Sequence, residues 1–227
     1  MVGPTSSGKS ALAVDLARRF VGEVISADSR QVYRGLDIGT GKITKREMRG
    51  VPHHLLDVAS PKRVFTAADY VRLARRACSG ILQNTRIPIV AGGTGFYIDA
   101  LVGRTSLPDV PVNKKLRMLL DKKTTAQLFA LLKKRDPRRA KTIDRHNKHR
   151  LIRALEIAHA VGRVPMIELR TQSFDTLWIG IAPPMDKLRA DIARRLRARL
   201  RRGMVAEAKR LHARGLSYRR MESLGLE

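Results

Sequence analysis

Gly3-Pro4-Thr5-Ser6-Ser7-Gly8-Lys9-Ser10 satisfies G-x-x-x-x-G-K-[ST] at every fixed position and runs straight into an amphipathic stretch, Ala11 to Phe20. The glycines let the backbone curl until successive N–H groups point inward, Lys9 supplies a point charge, and the Ser10 hydroxyl is of the type that ligates Mg²⁺. The helix that follows adds the positive end of its dipole. The spacing predicts a P-loop holding a di- or triphosphate; a plain Gly-Ser turn before a helix is the alternative. A P-loop follows a buried apolar strand, yet only Met1 and Val2 precede Gly3. The expectation is therefore a sheet short of its first strand and a weakly anchored loop.

Outward from that loop, 227 residues with 43% hydrophobic content suffice for one sizeable core, in one domain or two small ones. The longest apolar runs, Ile87 to Ala91 and Trp178 to Pro184, fall far short of the roughly 20 residues that span a bilayer. The first residues carry no signal-peptide pattern. Cys78 is the only cysteine, which excludes an intramolecular disulfide and a cysteine-based metal cluster and fits a reducing, cytoplasmic setting. Against 20 Asp and Glu stand 46 Lys and Arg, a formal +26. Such an excess predicts a polyanionic partner, with a merely solvated basic surface or membrane-surface attraction as alternatives. Aromatics at 4% argue against a stacking platform for single strands, so contact runs through phosphates.

The order of elements predicts α/β with a P-loop NTPase-like parallel sheet and an inserted small all-helical domain. Strands are expected at Glu23 to Ser26 and Ile87 to Ala91, with a helix over Phe65 to Asn84 capped by Thr66 or Ser60. Pro108 and Pro111 break the chain, and from Val112 to Val161 only helical segments follow. Between Asn113 and Arg153 there are fifteen Lys or Arg against three Asp. Leu177 to Ala182 then reads as a returning strand, followed by Arg-rich helices over Met185 to Arg202 and Val205 to Arg214. The expected division is residues 1–106 for the first part of the core, 107–172 for the basic insertion, and 173–227 for the return.

Asp28 follows the apolar Val24-Ile25-Ser26-Ala27 and so belongs at the carboxyl edge of the sheet, where open α/β folds place ligands. The stretch Asp28 to Lys42 carries polar residues and glycines at a density no packed element would choose, and reads as a functional loop; Asp28 alone would also serve as a cap. His53 and His54 are adjacent, point apart on a strand, and lack the spacing of a metal pair. After Ile87 to Ala91 come Gly92-Gly93-Thr94-Gly95-Phe96-Tyr97, where a P-loop ATPase places a Walker B aspartate. The glycines allow close backbone approach and Thr94 offers a hydroxyl, so ATP hydrolysis with an aspartate-held metal is disfavoured.

With these motifs in order, the chain closely resembles the tRNA dimethylallyltransferases, the isopentenyl transferases that prenylate the adenosine 3′ of the anticodon. The carriers are Gly3 to Ser10, Asp28 to Lys42, Pro52 to Asp57, Gly92 to Tyr97, Leu107-Pro108, Arg117 and His149-Arg150-Leu151-Ile152-Arg153-Ala154-Leu155-Glu156. The resemblance implies that the loop binds dimethylallyl diphosphate through Gly3, Pro4, Thr5, Ser6, Ser7, Gly8, Lys9 and Ser10. It implies Mg²⁺ on Ser10, and Asp28, Thr94 and Lys9 as the catalytic set, with Asp28 the base for the adenine amine and Thr94 orienting the diphosphate or the substrate. Asp28, Ser29, Arg30, Gln31, Thr94, Arg117, His149, Arg150, Leu151, Ile152 and Arg153 would contact the tRNA anticodon stem-loop. Arg150 and Arg153 are spaced to share a helix face, with Leu151 and Leu155 packing inward. The family continues past Glu227 through further helices, so the chain reads as truncated at both ends. It is expected to be a cytoplasmic monomer with no membrane contact. An isopentenyl transferase acting on free AMP, ADP or ATP shares these motifs, although the basic helical stretch argues against it. A nucleotide or RNA kinase and a non-catalytic RNA-binding module are the other readings.

Overall fold

The computed structural model describes residues 1–105, 107–165 and 174–225. Along the chain run α1 (Lys9–Arg19), β1 (Gly22–Ser26), α2 (Lys45–Met48), β2 (His53–His54), α3 (Ala67–Gln83), β3 (Ile87–Ala91) and α4 (Gly95–Leu101). Then follow α5 (Lys114–Asp121), α6 (Thr125–Arg135), α7 (Pro137–Thr142), α8 (Lys148–Val161), α9 (Met185–Arg201), α10 (Met204–Ala213) and α11 (Tyr218–Ser223). They sort into two compact units, Met1–Thr105 with Arg170–Glu227 and Ser106–Leu169.

The first unit is α/β. Its small parallel sheet has the order β2-β1-β3, with Val24 opposite His53 and Ile89, and Ile25 opposite His54 and Val90. All five residues of β1 are buried, as expected of a strand covered on both faces. Strand periodicity divides them: Val24 joins Ala13, Val14 and Ala17 of α1, while Ile25 joins Tyr70, Ala74, Cys78 and Ile81 of α3. Thr66, and not Ser60, caps α3, exchanging hydrogen bonds with Asp69 in a capping box. Among the described residues no helix is long and apolar enough to cross a membrane.

The returning strand expected over Leu177 to Ala182 is reduced to one bridge, Val2 with Gly180. The partner in that bridge belongs to Met1-Val2, and Gly3 turns the chain away from it at φ +148°. Those two residues nevertheless anchor the loop. Met1 is buried, the Val2 amide donates to the Ile179 carbonyl at 2.9 Å, and Val2 accepts from Ile181 at 3.0 Å. A Cβ on Gly3 would lie 2.5 Å from the Ile181 oxygen, so this glycine is needed for the close approach as well as the turn.

The second unit is a four-helix core around Leu128, Leu132, Leu151, Leu155 and Ala158. Each helix starts on a polar cap: Asn113, Thr124 in a box with Gln127, Asp136 ahead of Pro137, and Asn147. Asp136 is fully buried. Burial alone would push its carboxyl up, but the amides of Arg139 and Val164 hold it below the usual carboxylate range.

Candidate active site

The carboxyl ends of β1 and β3 are stapled together. The Ala27 amide donates to Ala91, the Thr94 amide donates back to Ala27, and a Cβ on Gly92 would lie 2.1 Å from the Ala27 oxygen. Only glycine tolerates that approach. Beside the staple opens a cavity of about 290 Å³, lined by Thr5 to Ala11, Asp28, Gln31, Thr40, His53, Gly92, Gly93, Arg195 and Arg199.

Lys9 is 8% exposed and folds beneath its own loop, donating to the carbonyls of Gly3 (2.9 Å) and Pro4 (2.5 Å) and reaching the Ser7 hydroxyl at 3.5 Å. Gly8, at φ +90°, precedes the first residue of α1. Burial lowers the Lys9 pKa, Arg195 lowers it further, and Asp28 partly opposes both. Neutral carbonyls leave most of this cation's charge uncompensated, which suits an anion in the cavity. Arg195 donates to the Ser6 hydroxyl at 3.0 Å, adding a second cation to the loop.

Asp28 sits on the opposite strand exit. Its Oδ1 accepts from the amides of Arg30 (2.8 Å) and Gln31 (3.3 Å), and its Oδ2 lies toward Gly93. Gln31 lines the same cavity and donates to the Gly41 carbonyl at 3.4 Å. Arg30 turns to the Ser223 carbonyl at 2.8 Å. Thr94 was expected to orient the diphosphate or the substrate, but its hydroxyl is engaged elsewhere. It accepts from the Ser29 amide at 2.9 Å, donates to the Ser29 hydroxyl at 3.2 Å, and is not among the cavity-lining residues. Through these two bonds it ties the start of α4 to the turn after β1.

The histidine pair binds protein groups. His53 Nδ1 lies 2.8 Å from the Val51 carbonyl and His54 Nε2 lies 2.6 Å from Glu23. Among the described residues no group of three His, Cys, Asp or Glu could hold a metal by itself, so a cation at this site would draw on ligand oxygens beside cavity-lining side chains such as Ser10.

In the helical unit, Arg117 and Arg153 converge on Glu156. Arg117 makes a bidentate pair at 2.8 and 2.7 Å, Arg153 pairs with the second oxygen, and the Asn113 amide donates at 2.7 Å. Burial raises the Glu156 pKa, but the two arginines and the amide outweigh it and bring it down to about 2. His149 and Arg150 are exposed in the first turn of α8. Leu151 (0% exposed) and Ile152 (7%) are core residues, which corrects the expectation that they touch a nucleic acid: α8 spends that face on Leu128 and Leu132.

Three residues at or around the cavity, Arg195, Arg199 and Glu207, escape a sequence reading, and Lys42, which ends the loop the sequence singles out, gains its partners only in the fold. Arg195 and Arg199 lie four apart on α9, one face of an Arg-rich helix where nothing singles them out. Glu207 and Lys42 brace the loop after Asp28. Lys42 donates to the Tyr33 carbonyl and to Asp37 and Asp57 at 2.5 to 2.8 Å.

The family model described as IPP transferase matches residues 31–227. The chain belongs to this family. Among IPP transferase relatives, the tRNA dimethylallyltransferase of Anoxybacillus flavithermus is 39% identical over 95% of this chain and 71% of its own length. That of Thermomicrobium roseum is 43% identical over 95% and 68%. A full-length tRNA isopentenylpyrophosphate transferase from Bacillus halodurans superposes with a TM-score of 0.67 at 39% identity, covering 95% of this chain and 70% of that one. A eukaryotic dimethylallyltransferase described as acting on tRNA gives 0.80 at 29% identity, over 93% and 54%.

Proposed function

We propose that this IPP transferase moves a dimethylallyl group from dimethylallyl diphosphate to the exocyclic amine of the adenosine 3′ of the anticodon in tRNA. The observation that carries the reading is one cavity lined by both the Gly3–Ser10 loop and Asp28. On this reading the loop acts as a P-loop for the donor. As the allylic C–O bond breaks, charge develops on the departing diphosphate, where Lys9, Arg195 and the N-terminus of α1 stabilise it. The developing allyl cation must be kept from bulk water. The adenine amine is a weak nucleophile because its lone pair is delocalised into the ring; Asp28 takes its proton as the C–N bond forms. The amides of Arg30 and Gln31 fix that carboxylate. Bound Mg²⁺, held by Ser10 and diphosphate oxygens, would supply further neutralisation of the leaving group.

The acceptor adenosine has to leave its stack to reach Asp28. Fifteen Lys or Arg between Asn113 and Arg153 support contact with the tRNA phosphates, with Arg117, His149, Arg150 and Arg153 as the candidate side chains. A cytoplasmic place accords with such a substrate and with a single cysteine.

The test offers the chain labelled dimethylallyl diphosphate and Mg²⁺ with either an anticodon stem-loop or AMP, and separately labelled ATP with the stem-loop. Prenyl label on the stem-loop alone is the expected result. Label on AMP alone, or phosphate transfer from ATP, would overturn the reading.

A further inference from the structure

Glu207 is the sole acid of α10 and is 4% exposed. Its Oε2 accepts from the amides of Asp37 (3.0 Å) and Ile38 (2.8 Å), and its Oε1 from Gly39 (2.9 Å). Three consecutive amides on one carboxylate form a nest, an arrangement that binds anions strongly because every donor points inward. From the neighbouring helix, Arg199 donates to the Gly39 carbonyl at 3.3 Å. The same guanidinium packs so closely on Gly41, at φ +60°, that a Cβ there would fall 1.8 Å from Nη2.

So α9 and α10 grip one turn from both sides: its N–H groups go to Glu207 and a carbonyl goes to Arg199. What that turn presents to the cavity is Thr40, and Gly41 receives the side chain of Gln31. Glu207 itself does not line the cavity. Apolar support is added by Val32, Tyr33 and Leu36 packed on Leu211, Leu216 and Met221. The Gly3–Ser10 loop makes none of these contacts with α10 among the described residues.

Resting on the transfer reading above, we infer that Glu207 is a positioning residue for the acceptor side of the site. It sets the Asp28–Lys42 loop through the 37–39 amides and leaves donor binding untouched. A carboxamide at this position keeps one good acceptor but turns an NH₂ toward one of the amides; alanine removes both acceptors.

The test compares wild type, Glu207→Gln and Glu207→Ala by amide exchange and steady-state kinetics. Expected are exchange at residues 37–39 faster by ~10-fold or more in Glu207→Ala, acceptor kcat/KM down roughly 30-fold in Ala and about 5-fold in Gln, and donor KM within about 2-fold of wild type. If Glu207→Ala does not fold, the Gln variant carries the same split. Unchanged exchange at 37–39, or donor and acceptor parameters falling together with the melting midpoint, would overturn the inference and leave Glu207 a purely structural residue. Failure of the wild type to transfer to any acceptor would instead overturn the underlying reading, and the exchange result would still decide whether Glu207 holds the turn.

Discussion

The Gly3–Ser10 loop and the Asp28–Lys42 loop line one cavity, yet the lysine brace of the first lies within its own eight residues while the second is gripped by carboxylate and arginine side chains from far along the chain. Lys9 reaches carbonyls five and six residues back, and Ser6 gains one arginine from α9. The aspartate loop is tied to Glu207 across 168 to 170 residues, to Ser223 through Arg30, and to Arg220 through the Tyr33 hydroxyl. A motif that satisfies itself can be recognised from eight residues. A loop whose amides are satisfied by a distant helix has an equally fixed conformation but leaves only glycines and polar residues in its own sequence as a trace.

If the two loops divide the work into donor and acceptor, substitutions in each should separate kinetically. The largest expected effect is Lys9→Ala, which should lower the transfer rate on the order of 10³-fold and weaken diphosphate binding, with Arg195→Ala about tenfold in the same direction. Measuring donor affinity by calorimetry and transfer by label incorporation checks both. Lys9 substitution that spares donor affinity would erase the distinction between the loops.

The helical unit provides a contrast in stability. Glu156 has a folded pKa of about 2 against an ordinary 4.5, so it contributes stability above pH 4.5 that is lost as pH falls toward 2. Glu156→Gln should cost roughly 2 kcal/mol at neutral pH, discounted because Arg117 and Arg153 are partly exposed, and should flatten the acid limb of an unfolding curve. Denaturant melts from pH 7 to 3 read this. Equal acid sensitivity in variant and wild type would show that the pair does not set it.

Smallest is Thr94→Val, which removes the hydroxyl bonded to Ser29 and should lower the transfer rate a few-fold, about 1 kcal/mol, with donor affinity unchanged. A rise in donor KM would return Thr94 to the diphosphate side.

The same local-versus-remote rule governs what the sequence discloses. The strands at β1 and β3 stand out because β-branched runs end in polar or glycine turns, and α3 because Thr66 and Asp69 form a reciprocal cap. Leu177 to Ala182 has strand composition, and among the described residues it forms one bridge, Val2 with Gly180. His149 to Arg153 reads as one contact segment, but helical spacing sends Leu151 and Ile152 inward while His149 and Arg150 stay outside. Arg195, Arg199 and Glu207 were hidden among the 46 basic residues and a regular helical pattern, since their significance lies in which turn they meet.

The most direct test of the division between the loops is Asp28→Ala, with donor affinity and single-turnover transfer to the anticodon stem-loop measured on the same preparation with Mg²⁺. The account predicts dimethylallyl diphosphate affinity within about twofold of wild type and a transfer rate lower by roughly a hundredfold. Transfer at the wild-type rate, or loss of donor binding matching the loss of transfer, would contradict it.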